Sequence, residues 1–253
     1  MIRLHGVSKR WEPGGPLVVD AIDLAVAEGE WLAVIGASGS GKTTALKMIN
    51  ALVAPTAGIV TVGGRDVTSV SPESLRRSIG TVLQSVGLLP HWTVYDNVAA
   101  VPHLLGWAED RVDARVRALL DDVGLPAETF AERGPADLSG GQRQRVGVAR
   151  ALAAESRILL LDEPFGALDP VTRDQLQGLV RGLHDRLGLT TVMVTHDMAG
   201  ALRLADRIAV MSAGRVLRIG TPRDLLTDPE HAEVAALLDA PRRHAAVLDG
   251  LLR

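Results

Sequence analysis

The sequence has no cysteine, so disulfides and thiolate metal sites are excluded, as fits a reducing compartment. It also lacks any apolar run near the ~20 residues that a membrane-spanning helix needs. The longest runs, such as Trp31–Ile35 and Ile158–Leu161, are far shorter, and Met1–Gly6 has no signal-peptide character. A soluble chain is the expectation. Internal repeats, low-complexity tracts and Pro, Gly or Ser-rich linkers are absent, so nothing marks a boundary between two domains. Lysine is nearly missing, at three residues against 24 arginines, which is read as genomic base composition and not as a phosphate-binding surface. A net charge of −3 gives no global attraction to nucleic acid or to an anionic membrane, leaving only the option of a local patch. What remains is a chain of 253 residues, 47% apolar and 23% charged, long enough for one large domain or two small ones.

Alternation at Val18, Asp20, Ile22, Leu24 and Val26 predicts a half-buried strand. Trp31–Ile35 and Ile158–Leu161 read as wholly apolar strands of the kind buried on both faces of a parallel sheet, and β-branched Thr190–Thr195 as a third. Arg207–Met211 and Arg215–Ile219, joined by Ser212-Ala213-Gly214, predict a hairpin. Two helical faces stand out: Val112, Val116, Leu119, Leu120 and Val123, then Leu176, Leu179, Val180, Leu183 and Leu187. Ser71-Pro72-Glu73 is a helix start. Strands alternating with helices argue an α/β fold, and the interval from about Gly87 to Ala153 is helix-rich enough to be a separate lobe.

Directly after the apolar strand Trp31–Ile35 comes Gly36-Ala37-Ser38-Gly39-Ser40-Gly41-Lys42-Thr43, leading into a predicted helix over Thr44–Ala51. A glycine-rich loop here lets backbone N–H groups approach a phosphate without a Cβ clash, and the helix start adds its positive dipole end. Lys42 is expected to reach the β- and γ-phosphates and the Thr43 hydroxyl to bind Mg²⁺. Gly36, Ser38, Gly39, Ser40, Gly41 and Thr44 complete this candidate cradle. A plain connecting turn is the bland alternative, against which the strand-loop-helix context weighs. The site is for a nucleotide.

A nucleoside triphosphate needs its metal held from a second side, usually by an acid ending a buried strand. Ile158–Leu161 is followed by Asp162 and Glu163. Asp162 is expected at the metal, and Glu163 near the γ-phosphate as acceptor of a hydrogen bond from the attacking water. Taken alone, two acids after a strand are more often a solvated strand end.

Leu138-Ser139-Gly140-Gly141-Gln142 precedes a predicted helix over Gln142–Ala153 and resembles the signature sequence of ATP-binding-cassette (ABC) proteins. It stands about 95 residues after the phosphate loop and about 20 before Asp162, the family's order and spacing. The resemblance runs from near the start to about residue 225. It implies a P-loop NTPase (RecA-like) core with an antiparallel β subdomain and a helical subdomain at about 87–153, an ATPase domain over 1–238 and a short tail over 239–253. It also implies roles: Trp11 for stacking on adenine, Gln84 for touching Mg²⁺ and the attacking water, Asp169 in a loop crossing a dimer interface, and His196 at the γ-phosphate. Many relatives have tyrosine where Trp11 stands. Three of these have a plainer role when taken singly: Trp11 as core, Gln84 as strand-end solvation, His196 as a cap.

In the family, Ser139, Gly140, Gly141 and Gln142 of one copy close over ATP held by the phosphate loop of another, which implies a homodimer with ATP between its subunits. It further implies transmembrane permease subunits as partners, indirectly a substrate-binding protein, no nucleic acid, and a place in the cytoplasm at the inner face of the membrane. The apolar stretch Gln84–Val94 suits a permease-docking surface, or packing of the helical lobe, or both. Val86–Val98 with Val101–Trp107 is similar to importers of glycine betaine, choline and other osmoprotectants. Other readings stay open: an importer of methionine or a polar amino acid, a cassette ATPase acting on DNA or the ribosome, or a non-hydrolysing ATP binder. Some relatives carry a regulatory domain after the ATPase; this chain is expected to lack it, ending instead in a short helix candidate over 239–253.

Overall fold

The computed structural model describes residues 1–239. Its elements begin with β1 (Ile2–Arg10), β2 (Leu17–Val26), β3 (Trp31–Ile35), α1 (Lys42–Ile49), β4 (Ala57–Val62), β5 (Arg65–Asp66), α2 (Pro72–Arg77) and β6 (Ile79–Val82). There follow α3 (Val94–Leu104), α4 (Glu109–Asp122), α5 (Ala127–Phe130), α6 (Gly140–Leu152), β7 (Ile158–Asp162) and α7 (Pro170–Leu187). Then come β8 (Thr190–Thr195), α8 (Met198–Leu204), β9 (Arg207–Ser212), β10 (Arg215–Gly220) and α9 (Pro222–Thr227). The chain divides into two units, one of Met1–Ser69 with the chain from Val192 onward, the other Val70–Thr191. Strand β8 starts in the second and ends in the first.

The first unit holds an antiparallel sheet in the order β2-β1-β4-β5. The expected alternation in β2 is present from Ile22, with Ile22, Leu24 and Val26 buried. It slips upstream, where Val19 and not Val18 is buried. The cause is Ala21, at φ 45°, whose left-handed backbone inserts one residue and flips the face. In the same unit β3 runs parallel to β9, and β9 turns at Ala213 and Gly214 into antiparallel β10, the expected hairpin. All five residues of β3 are buried. Helix α1 begins two residues earlier than predicted and ends at Ile49, because Ala51 goes left-handed (φ 53°) and Leu52 N–H bonds back to the Lys47 carbonyl at 2.9 Å.

In the second unit β6 and β7 pair in parallel, Ile79 to Val82 against Ile158 to Leu161. The helices obey their apolar periods. Val112, Val116, Leu119 and Leu120 of α4 are buried, as are Leu176, Val180 and Leu183 of α7. Leu179 and Leu187 are only half-buried, and Gln177 and His184 take up core positions in their place. His184 Nδ1 lies 2.9 Å from the Thr191 hydroxyl, a polar pairing that an apolar-period count cannot register. Ser71 caps α2 as expected, but that helix lasts six residues. Among the described residues no helix is long and apolar enough to cross a membrane. The expected tail over 239–253 lies outside the described residues except for Asp239.

Gly80 sits where β6 passes the end of α6: a Cβ there would lie 2.3 Å from the Ala151 carbonyl oxygen. Backbone cannot yield as a side-chain tip can. Gly80→Ala is therefore expected to destabilise the protein by about 1–3 kcal/mol, read as a lower urea midpoint at unchanged slope.

Candidate nucleotide site

The first unit contains Trp11, the loop Gly36–Thr44 and His196. The second contains Gln84, Ser139–Gln142, Asp162, Glu163 and Asp169.

The phosphate loop leaves β3 with Gly36 at φ 154° and passes Gly39 (φ 80°) to Gly41 (φ 97°), the residue preceding α1. Gly36 and Gly41 have no alternative. A Cβ on Gly36 would stand 2.1 Å from the Met211 carbonyl oxygen, and one on Gly41 2.5 Å from that of Val18. Gly39 faces open space at the exposed apex with Ala37 and Ser38. The loop is backed by the β9–β10 turn: Gly214 N–H donates to the Ser40 carbonyl at 3.2 Å, and Asp20 N–H to the Gly214 carbonyl at 2.9 Å. Sequence reasoning read Ser212-Ala213-Gly214 as a hairpin tip and missed this support, since nothing local in those residues names the partner.

Lys42 is only 7% exposed. Its ammonium donates to the Gly36 carbonyl at 2.9 Å and the Ala37 carbonyl at 2.8 Å, with the Ser40 hydroxyl at 3.5 Å. A buried cation is tolerable because carbonyl dipoles solvate it, and the loop thereby carries a fixed positive charge wrapped in its own backbone. Thr43 and Thr44 are half-buried in the first helical turn, where amide groups lack intrahelical acceptors. This arrangement of lysine, hydroxyls and helix start suits a polyphosphate.

Asp162, the last residue of β7, is 7% exposed. Glu163 follows at φ 49°, left-handed and non-glycine, which turns the chain sharply at the carboxylate. Such a conformation costs about 1–3 kcal/mol and persists only where the surroundings enforce it. Five and six residues on, Leu168 and Asp169 close the loop onto α7. Asp169 caps that helix, accepting from Val171 N–H at 3.1 Å and Thr172 N–H at 3.0 Å. Its hydrogen bonds, first with the Thr172 side chain, hold its carboxyl below the usual aspartate value.

Ser139 is exposed and caps α6, accepting from Gln142 N–H at 3.2 Å while its own N–H donates to the Gln142 side chain at 2.8 Å. This reciprocal cap starts α6 at Gly140, two residues before the predicted Gln142. Gly140 is open to solvent, and Gly141 is pinned: a Cβ there would meet Thr172 Cγ2 at 2.5 Å. The signature residues thus present an exposed helix N-terminus built on α7.

Trp11 is 61% exposed, which excludes the core role and leaves its indole on the surface, with the Lys9 ammonium 5.0 Å from the ring centroid. His196 is exposed, and the capping of α8 falls instead to Asp197, which accepts from Gly200 N–H at 3.0 Å. Gln84 is exposed in the turn after β6.

A family model described as ABC transporter matches residues 19–166. The glycine betaine/carnitine/choline transport ATP-binding protein of Bacillus subtilis (strain 168) is 46% identical over 242 residues, covering 96% of this chain and 63% of that protein. The sulfate/thiosulfate import ATP-binding protein of Mycobacterium bovis (strain ATCC BAA-935 / AF2122/97) is 46% identical over 227 residues, covering 90% of this chain and 64% of that protein. Among solved structures, the dimeric post-hydrolysis state of the ATP-binding cassette MJ0796 bound to ADP and Pi is 34% identical, with a TM-score of 0.79. That match covers 88% of this chain and 99% of the cassette. The chain belongs to the ABC transporter family, and its fold is the α/β fold of the ABC ATPase cassettes. It spans about three-fifths of the length of the first curated relatives it matches.

Proposed function

We propose that this chain is the ATP-hydrolysing subunit of an importer that takes up an osmoprotectant, such as glycine betaine, choline or another quaternary amine, through a separate permease. The observation that carries the ATPase reading is the loop Gly36–Thr44, with Gly36 and Gly41 where no side chain fits and a buried lysine folded into its carbonyls. In this reading Gly36, Ser38, Gly39, Ser40, Gly41 and Thr44 surround the phosphates, Lys42 neutralises the β- and γ-phosphates, and the exposed Trp11 stacks on adenine. Glu163 orients and deprotonates the attacking water, His196 contacts the γ-phosphate, and Gln84 helps to hold that water.

The donors fit Mg²⁺: the Thr43 hydroxyl, the Asp162 carboxylate and the Gln84 amide oxygen are hard oxygen ligands, the kind this ion takes. Bound there, the ion would neutralise charge on the β- and γ-phosphates. The chain's own contribution is to hold phosphates, place a water and exclude others.

The signature helix start, exposed at Ser139 and Gly140 and continued by Gly141 and Gln142, supports a homodimer in which each copy supplies donors to the other's ATP, Asp169 lying at that interface. The ATP-binding cassette MJ0796 is described as a dimer. Exposed Leu83, Leu89, Trp92, Leu104 and Leu105 in the second unit suit permease docking. The reading places residues 1–238 in the ATPase domain, its helical lobe at about 87–153, with 239–253 a tail, and the assembly at the cytoplasmic face of the membrane, served by a substrate-binding protein.

The cargo follows the names of relatives such as the Bacillus subtilis protein. The sulfate/thiosulfate relative, at the same 46% identity, supports a second reading in which the importer carries another solute. Two measurements decide. The purified chain is expected to hydrolyse ATP with added Mg²⁺ and to lose that activity in excess EDTA; activity unchanged by EDTA would overturn the metal assignment. The co-purified permease and its substrate receptor are expected to bind a quaternary amine and to ignore sulfate.

A further inference from the structure

Val86 is a β-branched residue at φ 56°, a region valine rarely enters, and Gly87 follows at φ 59°. They end a turn closed by Val86 N–H donating to the Leu83 carbonyl at 2.9 Å, with Gln84 at its first corner. Helix α6 holds this turn at two points. The Arg150 guanidinium, near the end of α6, donates to the Gly87 carbonyl at 2.7 Å and to the Val86 carbonyl at 2.5 Å. Gly147, one turn earlier, is the seat of the valine side chain: a Cβ there would lie 2.5 Å from Val86 Cγ1.

Each feature is costly by itself. An interior helix glycine gives up about 1 kcal/mol relative to alanine, and a left-handed valine adds strain. Burial pushes the Arg150 guanidinium below its ordinary value, so its desolvation also needs an offset. All three have the same explanation. The glycine makes room for the valine, the valine turn aims two carbonyls at one fork, and the carbonyls give the half-buried cation its acceptors.

We propose that Arg150, with Gly147 as the seat of Val86, is the positioning residue for Gln84, tying the glutamine turn to the helix that starts at Ser139-Gly140-Gly141. Helix α6 has 13 residues and so forms a rod of about 20 Å, with the exposed signature residues at one end and the clamp near the other. A shift at the first end moves the second, because the joint is two hydrogen bonds from a planar group and a close-packed side chain. The catalytic consequence rests on the ATPase reading of Gln84; the clamp does not.

The test uses the full chain with Arg150→Gln, Arg150→Lys and Gly147→Ala. Hydrogen exchange is measured first, without nucleotide. Loss of the fork is expected to speed exchange in residues 83–89 about tenfold in Arg150→Gln, less in Arg150→Lys, leaving residues 140–149 as in wild type. With ATP, kcat is expected to fall about tenfold while the Kd for ATP stays within about twofold, and Gly147→Ala should reproduce this split with the arginine intact. Unchanged exchange in 83–89 would overturn the clamp. Faster exchange along 140–149 with Kd and kcat worsening together would reduce Arg150 to a structural role. A wild-type chain that does not hydrolyse ATP defeats the ATPase reading, while the exchange result still decides the clamp.

Discussion

Glu163→Gln is expected to keep ATP bound and to lower its hydrolysis at least about 100-fold, the scale of a lost general base. The amide keeps the size and hydrogen-bonding reach of the carboxylate but cannot take a proton from water. Binding should survive because the phosphate loop and Lys42 are untouched. The left-handed backbone at residue 163 should be kept as well, since glutamate and glutamine meet the same steric limits there. Bound and unhydrolysed ATP should then hold two copies together, so the variant should elute as a dimer in ATP and Mg²⁺ and as a monomer without them. A single measurement of phosphate release decides the assignment. Glu163→Gln turning over at the wild-type rate would show that some other group serves the water.

Lys42→Ala is expected to act a step earlier, on binding. A charge-assisted contact to phosphate is worth about 1.5–3 kcal/mol, so the Kd for ATP should rise roughly 10- to 100-fold. The ammonium also holds the Gly36 and Ala37 carbonyls, so the variant loosens the loop it leaves behind. Lys42→Arg separates the two effects. It keeps the charge, but its larger planar head does not fit between carbonyls at 2.8 and 2.9 Å, so weakened binding in both variants marks geometry, and in alanine alone marks charge. ATP affinity unchanged in Lys42→Ala would remove the lysine from the site.

Much of this was legible in advance because the chemistry is local. Three buried strands, the hairpin and both helical faces follow from apolar periods, and the phosphate loop from spaced glycines ahead of a helix. Strand β6 was not legible: Ile79-Gly80-Thr81-Val82 looks like a break, and only the Ala151 carbonyl beside Gly80 explains why a glycine belongs in a strand. The slip at Ala21 was hidden for the same reason, since its left-handed turn comes from tertiary pairing with β1 and not from its own propensity. Among site residues, the family motifs pointed to Ser139 but not to its second task as a helix cap, and Arg150 was lost among 24 arginines. Contacts between residues far apart in sequence leave no local period to read.

The phosphate loop is made well before the residues that mould it. Gly36 rests on the Met211 carbonyl, Ser40 accepts from Gly214, and Trp31 N–H donates to Asp206 at 2.7 Å. A growing polypeptide therefore emerges from the ribosome with every lysine and glycine of that loop already made but no surface to set their shape. Some 170 further residues must follow before the template arrives. The loop therefore takes its shape only once the β9–β10 turn has been made, so a chain released before Gly214 has no mould for it.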